Sequence, residues 1–211
     1  FAKGSPVRLG PRFDAALAYA RQTHDRQVRK GTATPYVAHL LAVAVTVLEY
    51  GGDEDLAIAG LLHDAVEDQG GQPRLDDIRA RFGDRVAAIV LACSDSAEAE
   101  AGAKAPWRQR KLAYLRHLET ADPDVLLVSL ADKVHNARSI LRDLRTAGVG
   151  PAVWRRFNAT PADTVAYYAA LAGAFRRRIP GQLADELGEI AAAIAADAGL
   201  PVAPLAETPA A

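Results

Sequence analysis

His63-Asp64-Ala65-Val66-Glu67-Asp68 closes an apolar run that contains Leu56, Ala57, Ile58, Ala59, Leu61 and Leu62. On one continuous helix, positions four apart share a face, so His63 is expected over Glu67 and Asp64 over Asp68. Three carboxylates on one turn repel one another, and a bound cation would neutralise them. The plain alternative is a solvated acidic helix end ahead of the Gly70-Gly71 stop. Two distant residues extend the pattern. His39 follows Thr34-Pro35-Tyr36-Val37-Ala38 and opens an apolar segment, a place where a lone histidine can equally be a satisfied core residue. Asp132 ends the run Leu126-Leu127-Val128-Ser129-Leu130-Ala131, and a buried aspartate needs a partner. Lys133 is adjacent, but neighbours on a helix point about 100° apart. Two imidazoles and two carboxylates form a mixed nitrogen and oxygen set suited to Mn²⁺ or Fe²⁺, with open positions for water. Zinc would more often recruit cysteine or further histidines.

Helices must carry these groups. The chain is rich in alanine, the strongest helix former, while aromatic residues make up only 6% of it. Phe13, Leu17 and Ala20 start a first helix expected to end near Arg29, followed by a loop from Lys30 to Tyr36. Val37 to Tyr50 stops at Gly51-Gly52, and Asp53 caps a helix expected from about Glu54 to Asp68. Leu75 to Phe82 and Arg85 to Ser94 flank Gly83, and residues 95–106 read as a mobile loop. Pro106 to Leu118 is amphipathic and basic. Asp122-Pro123 opens a helix to about Arg145, since proline suits a first helical turn. Two more are expected at Ala152 to Arg178 and Gln182 to Ala198. The expectation is an all-α bundle of about nine helices without strands: residues 1–11 a flexible arm, 12–200 a single domain, and 201–211 a disordered Pro/Ala tail. The chain contains no methionine and begins at Phe1, so its first residues are not expected to be the native start.

A formal net charge of −1 gives no global attraction to nucleic acid or an anionic membrane, so an anionic substrate must be met by a local group of cations. The lone Cys93 excludes an intramolecular disulfide framework and reads as a buried, inert thiol. No run of about 18 apolar residues suggests a membrane span, and no signal peptide opens the chain. A cytoplasmic location is expected. Arg176-Arg177-Arg178 suits the negative end of a helix dipole better than nucleic-acid binding. His24 reads as structural, His135 as either pocket-lining or surface, and Trp154 and Phe157 as packing anchors.

The order His39, then His63-Asp64, then Asp132 resembles the H…HD…D pattern of the HD phosphohydrolase superfamily. The local sequence narrows the resemblance. Arg29-Lys30 ahead of Pro35-Tyr36-x-x-His39, His63-Asp64-x-x-Glu67-Asp68, Phe82-Gly83, and Leu130-Ala131-Asp132-Lys133-x-x-Asn136 are similar to the hydrolase domain of RelA/SpoT enzymes. Those enzymes remove the 3′-pyrophosphate from ppGpp and pppGpp. The likeness runs from about Phe13 to about Phe175, and with no synthetase or regulatory region following, it is nearest to the stand-alone small alarmone hydrolases.

The resemblance implies a single HD-domain helical bundle with His39, His63, Asp64 and Asp132 as ligands of one divalent ion, Mn²⁺ or Fe²⁺. It implies that Glu67 and Asp68 orient and activate the attacking water. It also implies that Arg29 stacks on guanine beside Lys30, that Asn136 and Ser139 line the nucleotide site, and that Lys111 and Tyr114 lie on the phosphate side. Leu40, Gln69 and Ala166 stand where relatives often carry Pro, Thr and Trp, departures that bear on substrate preference. The expected partner is a small guanosine nucleotide, with no nucleic acid and no membrane; homo-oligomerisation stays open. Two other functions remain: a broader nucleotide phosphohydrolase, for example an NADPH 2′-phosphatase, and a nucleotide sensor that lost turnover.

Overall fold

A computed structural model describes residues 7–94 and 105–205. Among them are ten α-helices, one 3-10 helix and no strand beyond an isolated bridge between Val28 and Pro35. The described residues fall into two compact units. The first comprises residues 7–29 and 33–94, the second 30–32 and 105–205.

In the first unit, α1 (Pro11–Thr23) begins on a proline and buries Ala16, Tyr19 and Ala20. It stops well before the expected Arg29. Beyond Thr23 the chain reverses through a narrow loop, where Arg29 N–H donates to Thr34 O (2.8 Å) and Tyr36 N–H to Gln27 O (2.9 Å). The β-branched residues Val28 and Thr34 favour this extended pairing over a helix. Gly10, assigned to the arm from sequence, is held by its N–H to Glu54 Oε1 at 2.5 Å; residues 1–6 lie outside the described part. Then come α2 (Val37–Glu49), α3 (Glu54–Leu62), α4 (Ala65–Asp68), α5 (Gly71–Phe82) and α6 (Asp84–Cys93). α3 is buried along its whole apolar length and packs on α1, α2 and α6. The expected helix 54–68 is thus two helices, broken at His63 and Asp64. Gly70 and Gly71, with φ of 130° and 58°, turn the chain into α5, which starts earlier than Leu75 because that left-handed backbone is open to glycine. Cys93 is half-buried.

Asp53 caps α3 as the sequence suggests. Its carboxylate accepts from Leu56 N–H at 3.0 Å and from Arg85 at 2.6 Å. Burial raises its pKa, but the Arg85 and Leu56 hydrogen bonds outweigh that and hold it below the usual carboxylate value. A native pKa below the unfolded one means stability that is full above the ordinary carboxylate range and lost as pH falls through it. Asp53→Ala is therefore expected to cost about 1 kcal/mol, the usual worth of such a cap. Thermal melts should show that gap at pH 7 and a narrower one at pH 3; a gap that does not narrow would mean that the ionised carboxylate is not the source.

The second unit contains α7 (Trp107–Leu118), α8 (Pro123–Arg145), a 3-10 helix (Gly150–Arg156), α9 (Pro161–Arg178) and α10 (Gln182–Ala198). α10 packs on α8 and α9, and α7 on α9. The single helix expected over 152–178 is replaced by the 3-10 helix and α9. Proline at 161 disfavours helical backbone at Thr160, which is extended (φ −67°, ψ 157°) and caps α9 by accepting from Asp163 N–H at 3.0 Å. Arg176, Arg177 and Arg178 are engaged within the unit, by Asp185 (3.1 Å), Glu119 (2.6 Å) and the Ala121 carbonyl (3.0 Å). Half-buried Trp154 and exposed Phe157 pack on each other, ring centroids 6.2 Å apart. Residues 95–104 and 206–211, to which the loop and most of the tail were assigned, lie outside the described residues. Residues 202–205 line a cavity of about 560 Å³ with Leu115, Ala166 and Ala170. No helix among the described residues is long and apolar enough to cross a membrane.

Candidate functional site

His39, His63 and Asp64 come together in the first unit, their ligand atoms all within 4.8 Å of one another. Local packing explains why. His39 sits in the first turn of α2, 1% exposed. Gly60 lets α3 approach α2 so closely that a Cβ there would stand 3.2 Å from Ala44 Cα. The two imidazoles therefore meet, with centroids 5.2 Å apart at 71°. At the end of α3, His63 Nδ1 lies 2.8 Å from the Gly60 carbonyl. That carbonyl is the acceptor a continuing helix would give to the Asp64 N–H. The imidazole takes it instead, and the helix breaks at the ligand pair. The expectation that His63 lies over Glu67 and Asp64 over Asp68 on one uninterrupted helix is corrected accordingly.

The same bond sets the chemistry. A carbonyl only accepts, so His63 Nδ1 carries the hydrogen and Nε2 presents a lone pair in the neutral ring. His63 Nε2 faces Asp64 Oδ2 at 3.1 Å, and His39 Nε2 faces the same oxygen at 3.5 Å. A neutral imidazole lone pair aimed at a carboxylate oxygen repels it unless a cation stands between them. The spacings also match the roughly 3 Å edge between two donors about 2.1 Å from one ion. Donor types and geometry fit a divalent cation, and the Nδ1 bond to a carbonyl is the usual support of a ligating histidine.

In the sequence Tyr36 is only a flanking member of the Pro35-Tyr36-x-x-His39 motif, yet its hydroxyl donates to Asp64 Oδ2 at 2.6 Å. Nothing in helical periodicity could reveal this, because the contact joins residues 28 positions apart. Arg29 lies over the Tyr36 ring at 5.8 Å. Glu67 is half-buried on α4, one turn beyond His63 and Asp64. The side chain of Asp68 lies outside the described part of the structure.

The remaining residues singled out in the sequence lie in the second unit. Lys30 is exposed. Asp132 is 6% exposed on α8, and both its oxygens are engaged: Lys133 Nζ at 2.7 Å and Asn136 Nδ2 at 2.5 Å. Helix geometry alone, with neighbours about 100° apart, disfavours the Lys133 pairing. The flexible lysine stem bridges the angle between neighbours, and the ammonium rests 4.8 Å from the centroid of the buried Tyr114 ring. Lys111 lies likewise over Tyr167 at 5.3 Å. Ser139 donates to the His135 carbonyl one turn back on α8 at 3.0 Å. The unit thus holds two ammonium groups on tyrosine faces, Lys111 on Tyr167 and Lys133 on Tyr114, and the sequence pattern had not singled out Lys133 for such a place.

Comparisons with known proteins agree with this geometry. A family model for the HD domain matches residues 16–165, more than half of the chain. The chain is 36% identical over 126 residues to the guanosine-3′,5′-bis(diphosphate) 3′-pyrophosphohydrolase of Aquifex aeolicus, matching 59% of this chain but spanning only 17% of that relative's length. It is 35% identical over 137 residues to the Xenopus tropicalis guanosine-3′,5′-bis(diphosphate) 3′-pyrophosphohydrolase MESH1, covering 61% of this chain and 72% of that one. The solved structure of a metazoan ortholog of SpoT that hydrolyzes ppGpp shares the fold, with a TM-score of 0.68 at 24% identity over 92% of this chain and 99% of that chain. Helices, paired histidines, adjacent aspartate and family match converge: the chain belongs to the HD-domain family.

Proposed function

We propose that this protein is a Mn²⁺-dependent hydrolase that removes pyrophosphate from the 3′ position of ppGpp and pppGpp, leaving GDP or GTP. The observation that carries the reading is the convergence of His39 Nε2 and His63 Nε2 on Asp64 Oδ2. The names of the relatives from Aquifex aeolicus and Xenopus tropicalis support the choice of substrate. Asp132 completes the ligand set in this proposal, on the order of the motif in the sequence and on its burial as a carboxylate.

A divalent ion held by these four residues supplies polarisation of a phosphoryl oxygen and acidifies a water near neutral pH. The chain does the rest. Glu67, with Asp68 beside it, takes the proton of the attacking water. The water oxygen bonds the phosphorus next to the ribose 3′ oxygen, that P–O bond breaks, and the 3′ oxygen recovers a proton. Phosphoryl transfer demands positioning and charge neutralisation more than covalent help. Lys30 and Lys111 meet the phosphates with Tyr114, while Asn136 and Ser139 face the nucleoside. Arg29, whose guanidinium lies 5.8 Å from the Tyr36 ring centroid, meets guanine through its planar group. A cytoplasmic place suits this soluble nucleotide chemistry.

Turnover of ppGpp against NADPH separates this reading from a broader nucleotide phosphohydrolase. GDP and pyrophosphate from ppGpp at a rate well above phosphate release from NADPH is expected; the reverse order would sink the assignment. Arg29 probes the base directly. Arg29→Ala should raise KM more than it lowers kcat, the mark of uniform binding, and Arg29→Lys should rescue poorly because an ammonium has no planar face. If Arg29→Lys matches wild type while Arg29→Ala slows saturated turnover, Arg29 serves phosphate charge and not the base.

A further inference from the structure

We propose that Tyr36 is a positioning residue for Asp64, with His24 as the plate that fixes its ring. The inference rests on the cation reading above and deepens it. Asp64 Oδ2 receives the Tyr36 hydroxyl at 2.6 Å and stands 3.1 and 3.5 Å from the two imidazole nitrogens. One lone-pair direction of that oxygen is committed to the hydroxyl. The direction left is the one a shared cation uses, so the hydroxyl selects the carboxylate rotamer that faces His39 and His63.

A donor can orient a ligand only if it is itself fixed. Tyr36 immediately precedes α2 as its N-cap, its N–H tied to Gln27 O at 2.9 Å. Its ring stacks on His24 (5.2 Å, 24°) and meets the edge of His39 (5.5 Å, 68°). His24 is 3% exposed, and the reaction proposed above does not use it. Its Nδ1 lies 2.7 Å from Gln27 Oε1, which also accepts from Gln69 Nε2 at 2.9 Å. Since Oε1 only accepts, Nδ1 carries the hydrogen and the ring is locked in one orientation. Its Nε2 finds no hydrogen bond among the described residues, so the ring serves as a flat surface. Gln69 reaches Gln27 from the end of α4 and closes this support from the segment that carries the ligand pair.

Mn²⁺ titration of the full chain by calorimetry tests this, together with melting of the metal-free protein. Tyr36→Phe keeps the ring and removes only the hydroxyl. It is expected to bind Mn²⁺ roughly 10- to 100-fold more weakly, as loss of a group behind a ligand commonly does, while the metal-free melt stays at the wild-type temperature. His24→Phe keeps the buried flat ring while giving up the Gln27 bond and should bind within a few-fold of wild type, whereas His24→Ala should weaken binding as Tyr36→Phe does. Wild-type affinity in Tyr36→Phe would overturn the proposal and leave the cation reading standing. Absence of Mn²⁺ binding by the wild-type chain would overturn both. If Tyr36→Phe lost its fold, the two His24 variants would decide: equal affinities contradict the role of the stack, and a loss confined to His24→Ala supports it.

Discussion

His63→Ala should lose bound Mn²⁺ and ppGpp hydrolysis together. The ring supplies one nitrogen of the triad, and through Gly60 it also holds the break between α3 and α4 that turns Asp64 toward His39. Its removal therefore deletes one ligand and releases another. Loss of affinity should exceed the roughly 10- to 100-fold typical of groups that only support a ligand. The melting curve gives a second readout. Mn²⁺ at about 100 times its dissociation constant stabilises a binding-competent fold by about 2.7 kcal/mol, so wild type should melt higher with the ion and the variant should not respond. Full turnover by His63→Ala in metal-limited buffer would exclude the imidazole as a ligand.

Glu67→Gln should keep the metal and lose speed. The amide is nearly isosteric but cannot accept the proton of the attacking water, and general-base catalysis contributes roughly 10² or more in rate. Saturated turnover is thus expected to fall by at least about 10²-fold, some 2.7 kcal/mol of barrier, with Mn²⁺ affinity within a few-fold of wild type. Equal rates and equal metal content in both proteins would make Glu67 a bystander.

Residue types and local spacing made much of this readable in advance. Asp53 and Pro161 mark helix starts by their own chemistry, and the apolar runs around His39, His63 and Asp132 mark buried helices. The gathering of His39, His63 and Asp64 was foreshadowed by repelling carboxylates at the end of an apolar run and by the order of the H…HD…D pattern. What periodicity could not carry were bonds decided in three dimensions. The break at His63 depends on a side chain competing for the Gly60 carbonyl. The early end of α1 depends on the backbone pairing of residues 27–36. Lys133 was set aside on helix geometry because that reasoning treats side chains as fixed directions, whereas a lysine stem bends back to its neighbour. Tyr36 carried no signal of its own: a tyrosine before a helix is ordinary until Asp64 folds against it.

Reconstitution of metal-stripped protein with Mn²⁺, followed through pyrophosphate released from ppGpp, bears most directly on the site. Stripped protein should be inactive, and activity should return in proportion to bound Mn²⁺, levelling at one ion per chain with GDP as the second product. Full activity of metal-free protein, or a fully loaded protein that leaves ppGpp intact, would contradict a metal-dependent 3′-pyrophosphohydrolase.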